Sequence, residues 1–504
     1  MDWTSEQALV QISREGTFDG ASIASSEGTP LAVEATRLRQ ALLEYLRSSS
    51  VLRALHIAHL DVSGALDLSD VDFGSSARFL HCGFQGTVQL ARATIEGELL
   101  FQECLFSRGL AAEQLRCGGG LCLRGSRFDE NLDLNYSQVT GNALLQQIVV
   151  GGDFYAYGAV FRNDIALQDG DFVRRVDFSS ADIGGTVGVE GSVFKARIYF
   201  DSAKVGRNLF LREAKFLDGL HLTGVHVGHH LQLRQSLISG PVDLTEAHIG
   251  KELHLERDAA KGPPIWREGS VLILRNARAR TLAGSLSAFK VHGVEKFVEL
   301  DLVGFRYDNL GGLGGRGNEG AQSAPSLAMS PPRDLVRFLA AGTAGWGEFA
   351  PDPYLTLATT LRRAGQNAHA DMVLVELGHY ERRSRSTALS RRVALHLLGS
   401  IIGFGYRNHY ALFWLLLLIG IGAAPALLPS ATAPILEFLR FSFGNSIAIV
   451  SFDEGPRRFA ELAFAGNTTA QDLYALALYA QRVIGFVLIT YLAAGIAGLA
   501  SRKN

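Results

Sequence analysis

An apolar i, i+2 pair returns at every eleventh position, without a slip, from about residue 55 to residue 255. Its second member runs Ile57, Leu68, Phe79, Leu90, Phe101, Ala112 and on to Leu233, Leu244 and Leu255, and its first member is apolar at every step. Midway between these pairs sits another, a small residue followed by a larger apolar one. The small column includes Cys82, Ala93, Cys104, Ser126, Ser137, Ala159, Ser192 and Ala214. The full unit is twice that length: Phe84, Phe106, Phe128, Phe172, Phe194 and Phe216 share one column, and Gly184, Gly206, Gly228 and Gly250 share another. An i, i+2 apolar spacing is the two-sided period of a strand, not a helical one. Four short strands in each full unit, with glycine or polar residues at the corners, describe one coil of a parallel β-helix. With coils stacked at strand spacing, about nine of them build a rod roughly 43 Å long. A repeat of this regularity dictates the fold before any single residue is considered.

Composition narrows what surrounds the rod. The chain has 504 residues, 55 of them glycine, with 48 Lys+Arg against 50 Asp+Glu and a net charge of −2. That balance excludes a polybasic nucleic-acid binder, because no net positive field gathers phosphates. A hydrophobic content of 47% excludes a wholly disordered chain. Charged residues at 19% and a mean hydropathy of +0.13 leave a membrane protein or a glycine-rich repetitive fold.

The repeat resembles the pentapeptide-repeat class of quadrilateral β-helices, with each coil lengthened by two positions. Further stretches, "IAHLDVSGALDLSDVDF" (57–73), "VELDLVGFRYDNL" (298–310), "PYLTLATTLRRAGQNAHADMVL" (353–374) and "GFGYRNHYAL" (403–412), are similar to a family of bacterial repeat proteins with C-terminal membrane helices. Members of that family often carry the label membrane-associated oxidoreductase. The resemblance covers most of the chain and implies its architecture; the label implies an activity for which the residues supply no cofactor motif.

Five regions follow. Residues 1–54 contain an amphipathic stretch at 34–47 that is expected to cap the first coil, since an uncovered strand edge invites aggregation. Residues 55–310 form the β-helix, and 311–332 read as a Gly/Ser/Pro linker. Within that linker, Gly312, Gly314 and Gly317 match a dinucleotide fingerprint formally, but no helix opens after them and prolines stand against one. Residues 333–392 are expected to be helical, at about 333–341 and 353–382, and end in a basic patch of Arg382, Arg383, Arg385, Arg391 and Arg392. Residues 393–504 carry two uncharged stretches, about 410–428 and 483–501, each long enough to cross a bilayer as a helix. Arg502 and Lys503 follow the second. The positive-inside rule then places the rod and the C-terminus in the cytoplasm of a bacterial cell, with a two-helix hairpin in the inner membrane. The N-terminus shows no cleavable signal pattern, which leads to the same expectation.

Chemistry is sparse. The amphipathic stretch 434–455 follows the first apolar segment, as in two-helix pore-loop channels, and would set Ser442, Gly444, Asn445 and Ser446 at a constriction in a homo-oligomer. No T-x-G-Y-G run accompanies it. The alternative is an amphipathic segment that packs on the hairpin and gates nothing. Cys82 and Cys104 occupy the small inward column, and Cys117-x4-Cys122 alone is insufficient for zinc. His226 and His248 lie one coil apart and are expected to stack on the outer face. No catalytic, cofactor or metal residue is assigned. The function expected is a membrane-anchored scaffold without catalysis, its partners the lipid bilayer and another protein on the rod's face. A channel-like oligomer with a sensor rod is the alternative, and the family's oxidoreductase label a second one.

Overall fold

The computed structural model describes residues 5–22, 30–48, 54–256, 262–311, 327, 330–344, 350–384, 387–402, 404, 408–428, 431–447 and 455–501. The chain divides into two compact units, Met1–Ala370 and Asp371–Asn504. Gly312, Gly314, Gly317, Arg385, Arg502 and Lys503 lie outside the described residues.

The first unit is a parallel β-solenoid of about nine turns with about 22 residues per turn. One turn carries four strands, for example Gly83–Phe84, Val88–Gln89, Thr94–Ile95 and Leu99–Gln102. Each pairs in parallel with the strand one turn on: Phe84 with Phe106, Val88 with Leu110, Ile95 with Cys117 and Leu99 with Leu121. Inward positions therefore stack identical or similar side chains. Phe106 lies between Phe84 and Phe128, its ring centroid 5.0 and 4.6 Å from theirs. Phe172, Phe194 and Phe216 repeat the arrangement at 4.8 and 5.3 Å. These separations match the distance between adjacent strands, so the backbone ladder sets the aromatic ladder.

The small column has a chemical rule of its own. The buried hydroxyls of Ser126, Ser137 and Ser236 donate to the carbonyls of Phe101, Ala112 and Leu211, each in the preceding turn. Cys82 and Cys104 do the same toward Ile57 and Phe79. Both cysteines thus replace serine in place and in bonding, as their column implied. All four cysteines are buried and free. Burial pushes the Cys117 and Cys122 thiols up, away from the reactive thiolate.

Corners recur twice in every turn. From His59 to Glu246 every eleventh residue has a positive φ, and most of these are not glycine: Asp70, Arg92, Gln114, Tyr136, Gln147 and Glu213 are examples. A left-handed residue with a Cβ costs about 1–2 kcal/mol, so the stacked coils hold the turns rather than the reverse. At other corners, side chains bridge the coils. Asn131 accepts from the Asp153 amide, Asp153 from that of Arg175, and Asn142 and Asp164 continue a parallel series.

Both ends are covered. Helices α1 (Ser5–Glu15) and α2 (Ala35–Ser48) pack together through buried Leu9, Ile12, Leu38, Leu42 and Tyr45. Gly16, at φ +67°, lets the chain pass the Tyr45 ring, which a Cβ there would meet at 2.2 Å. Two strands, Thr17–Asp19 and Leu31–Glu34, pair in parallel with Leu55–Ala58 and Leu60–Ser63, so the solenoid begins ahead of the expected boundary. At the other end the coils lengthen: His248 pairs with Arg278 and Arg278 with Arg306. Here α3 (Pro332–Ala344) seats Phe338 against Phe289 and Phe297, and α4 (Asp352–Arg363) lies along the last strand. The helix expected over 353–382 is two, because Gly365 at φ +78° ends α4 before α5 (Asn367–Arg383) begins. Residues 333–392, expected as one juxtamembrane region, are divided by the unit boundary at Ala370.

The second unit is helical: α6 (Leu389–Ile402), α7 (Asn408–Ala423), α8 (Ile435–Ser446), α9 (Pro456–Ala463) and α10 (Thr468–Ser501). Two of its segments, Tyr410–Leu427 and Thr468–Ala494, are long and apolar enough to cross a membrane. The first matches expectation. The second begins well before residue 483 and takes in Asp472 and Arg482 within the long α10.

Replacing Phe106 with alanine should cost about 3–5 kcal/mol, since its neighbours above and below are held by the backbone and cannot close the gap. Denaturant unfolding followed by β-sheet circular dichroism measures this; a loss under about 1 kcal/mol would mean the column is not packed as described.

Candidate functional site

The last coils place one row of outward side chains in register. Lys204 pairs with His226, His226 with His248, His248 with Arg278, and Arg278 with Arg306. The His226 and His248 rings stack at 4.6 Å and 9°, as their one-coil spacing implied. Burial, then His226 and Arg278, hold the His248 imidazole below its ordinary pKa, so it favours the neutral form. Beside this row runs the glycine column. A Cβ on Gly228 or Gly250 would meet the carbonyl oxygen of the glycine one turn earlier at 2.2 Å, so the coils pass there with no side chain between them.

Against the end of the row α4 forms a second wall. The groove between them has a volume of about 730 Å³. Its sheet side presents Arg278, Arg280 and Arg306; its helix side presents Leu355, Thr356 and Arg363. Two acids temper the charge: Arg306 reaches Asp352 at 3.5 Å and donates to Thr356 at 2.8 Å, while Arg363 reaches Asp308 at 3.5 Å. Arg278 and Arg280 are exposed and have no ion-pair partner among the described residues. Some outer arginines elsewhere on the solenoid are matched at the coil period: Arg92 pairs with Asp70 at 2.6 Å and Arg108 with Glu130 at 2.9 Å.

The repeat period pairs His226 with His248 and reaches no further along this row. The next partners, Arg278 and then Arg306, each follow at a longer interval than the repeat that leads up to them. The lost phase hid the row; the alternating R-x-R of Arg278 and Arg280 in a strand-like run was the remaining signal.

In the helical unit, the residues expected at a constriction lie in a three-helix junction. Ser442, Gly444, Asn445 and Ser446 are buried on α8. Gln481 of α10 donates to the hydroxyls of Ser442 and Ser446 at 2.7 and 2.8 Å. Ser442 donates in turn to the Ile419 carbonyl of α7 at 2.7 Å, and Asn445 to that of Leu478 at 2.7 Å. Gly422 and Gly485 allow this approach: a Cβ on Gly485 would meet the Ser446 oxygen at 2.3 Å. Ser442, Asn445 and Ser446 of α8 therefore each make a side-chain hydrogen bond within the chain. In the expected basic patch, Arg382 contacts His396, Arg391 pairs with Glu381 at 3.0 Å, Arg392 donates to the Ser384 carbonyl, and Arg383 is exposed. Among the described residues no group of three or more His, Cys, Asp or Glu is placed to hold a metal ion.

Comparison with protein-family models, with curated proteins and with solved structures finds no match to this chain.

Substituting Gln481 with leucine removes the donor that ties α10 to α8 and should destabilise the helical unit by about 1–2 kcal/mol in detergent. Gly485→Val should do more, because the Ser446 backbone cannot move away. Thermal unfolding of the purified protein checks both; an unchanged midpoint for Gly485→Val would contradict the junction.

Proposed function

We propose that this chain is a membrane-anchored scaffold whose solenoid presents a rigid, charged surface to a protein partner. The observation that carries the reading is the outward face of α7 and α10. Leu412, Phe413, Leu416 and Ile421 of α7, and Leu473, Leu476, Val483 and Val487 of α10, are exposed large apolar side chains. A water-soluble helical unit does not leave two such stripes uncovered, whereas a bilayer covers them. Polar groups that would be costly in hydrocarbon, those of Ser442, Asn445, Ser446 and Gln481, are satisfied inside the helix junction.

The solenoid supports the scaffold part of the reading. Stacked coils give extended faces whose side chains stand at fixed intervals, the geometry that repeat proteins use for binding long partners. Under the positive-inside rule, the arginines at 382–392 and the residues Arg502 and Lys503 orient the solenoid and the C-terminus to the cytoplasm of a bacterial cell. The pentapeptide-repeat-like description and the kinship with repeat proteins bearing C-terminal membrane helices belong to the same reading. Among the described residues, no arrangement favours the oxidoreductase label over it.

The anchor predicts that the full chain stays with the membrane pellet after alkaline carbonate extraction, and that removing 408–501 releases it to the supernatant. Release of the full chain by carbonate would end the reading. Purified protein in planar bilayers should pass no current; discrete conductance steps would replace the scaffold with the channel-like oligomer.

A further inference from the structure

We propose that the groove between α4 and the last solenoid coils is a binding site for a small phosphate-bearing polyanion. Three observations converge on it. Arg278 and Arg280 stand on one strand with no acidic partner among the described residues, and both line a groove that also holds Arg306 and Arg363. Unneutralised guanidinium groups side by side repel one another, and an anion between them relieves that repulsion while offering each a two-pronged hydrogen bond. Arg306 stands in register one coil beyond Arg278. That step, about 4.8 Å, is close to the separation of the end groups in a short phosphate chain.

The other side of the groove completes a pocket rather than a flat patch. Arg363 of α4 faces the strand arginines, and its link to Asp308, like that of Arg306 to Asp352, is long at 3.5 Å. Ion pairs of that length between exposed groups contribute little, so a phosphate can displace the carboxylates. The volume, about 730 Å³, lies in the range of small-molecule sites. Leu355, an exposed apolar side chain, forms part of the wall, so the ligand can carry an organic portion beside its phosphates. Ile249 and Ala279, inward-facing residues of paired strands, make the floor and fix the spacing of the charges above it.

The same chemistry is available from a soluble phosphate compound or from a phosphorylated lipid headgroup. Isothermal titration of the full-length protein in uncharged detergent, with inorganic triphosphate as probe, tests the first source. Detergent micelles doped with a lipid bearing two headgroup phosphates test the second. Micromolar binding in either arm is expected, weakened at least tenfold by Arg278→Ala/Arg280→Ala and largely kept by Arg92→Ala, an arginine outside the groove. Because both groove arginines are exposed, the double variant should keep the wild-type circular dichroism and melting point. Arg278→Glu, a single exposed substitution, gives the same reading by charge reversal. Affinity in the triphosphate arm assigns a soluble ligand, and affinity confined to the lipid arm assigns a headgroup. No binding at millimolar probe in both arms overturns the proposal. So does binding that the groove variants leave unchanged, or a single-stranded oligonucleotide that outcompetes triphosphate through the same arginines.

Discussion

Everything in the solenoid depends on one constraint: each coil must present its amides and carbonyls to the next in register. Phe84, Phe106 and Phe128 stack because their backbones pair, and the same pairing sends the Ser126 and Ser137 hydroxyls to carbonyls of the preceding coil. Shifting one strand by a single position would turn every inward side chain outward. The corners follow from this. Tyr136 and Gln147 accept left-handed backbones, which isolated turns would assign to glycine, because the coils above and below leave no other path. Stability is therefore shared between neighbours, and the two open ends are where it needs help. α1 and α2 give that help at one end, α3 and α4 at the other.

Those end caps make the terminal coils chemically different from the middle. In the central coils some outward charges find partners one coil away, as Arg108 does with Glu130. Near the C-terminal end the coils lengthen, the pairing phase changes and α4 lies over the sheet. Arg306 and Arg363 there reach Asp352 and Asp308, while Arg278 and Arg280 have no ion-pair partner among the described residues. A repetitive fold acquires an individual site where its repetition breaks, because only there does a wall rise beside the regular surface.

The solenoid was legible from sequence because a strict coil period writes the core into the chain: Phe172, Phe194 and Phe216 announce their contacts by spacing alone. Its first strands, Thr17–Asp19 and Leu31–Glu34, were not, since neither repeats the period and a long connection separates each from its partner. The split between α4 and α5 rests on Gly365, whose left-handed turn has no signature in an otherwise helical pattern. The groove escaped for a similar reason. Arg278 and Arg306 sit on coils lengthened beyond the repeat, where counting by the period no longer finds a partner. In the helical unit, the apolar segment at 410–428 was plain. The role of Ser442, Asn445 and Ser446 was not, because a small polar run on an amphipathic helix is compatible with a lined constriction or with a packed junction. Gln481 of α10 donates to the Ser442 and Ser446 hydroxyls, a partnership that the run itself does not announce.

The central claim is the coil register itself, and a distance between two residues in one column tests it most directly. Thr94 and Lys204 are joined by five successive parallel pairings through Arg116, Gln138, Val160 and Asp182. Spin labels at these two positions, measured by pulsed electron resonance, should give one narrow distribution centred near five strand spacings, about 24 Å. A broad distribution, or one centred beyond about 40 Å, would mean that the coils do not stack in this register.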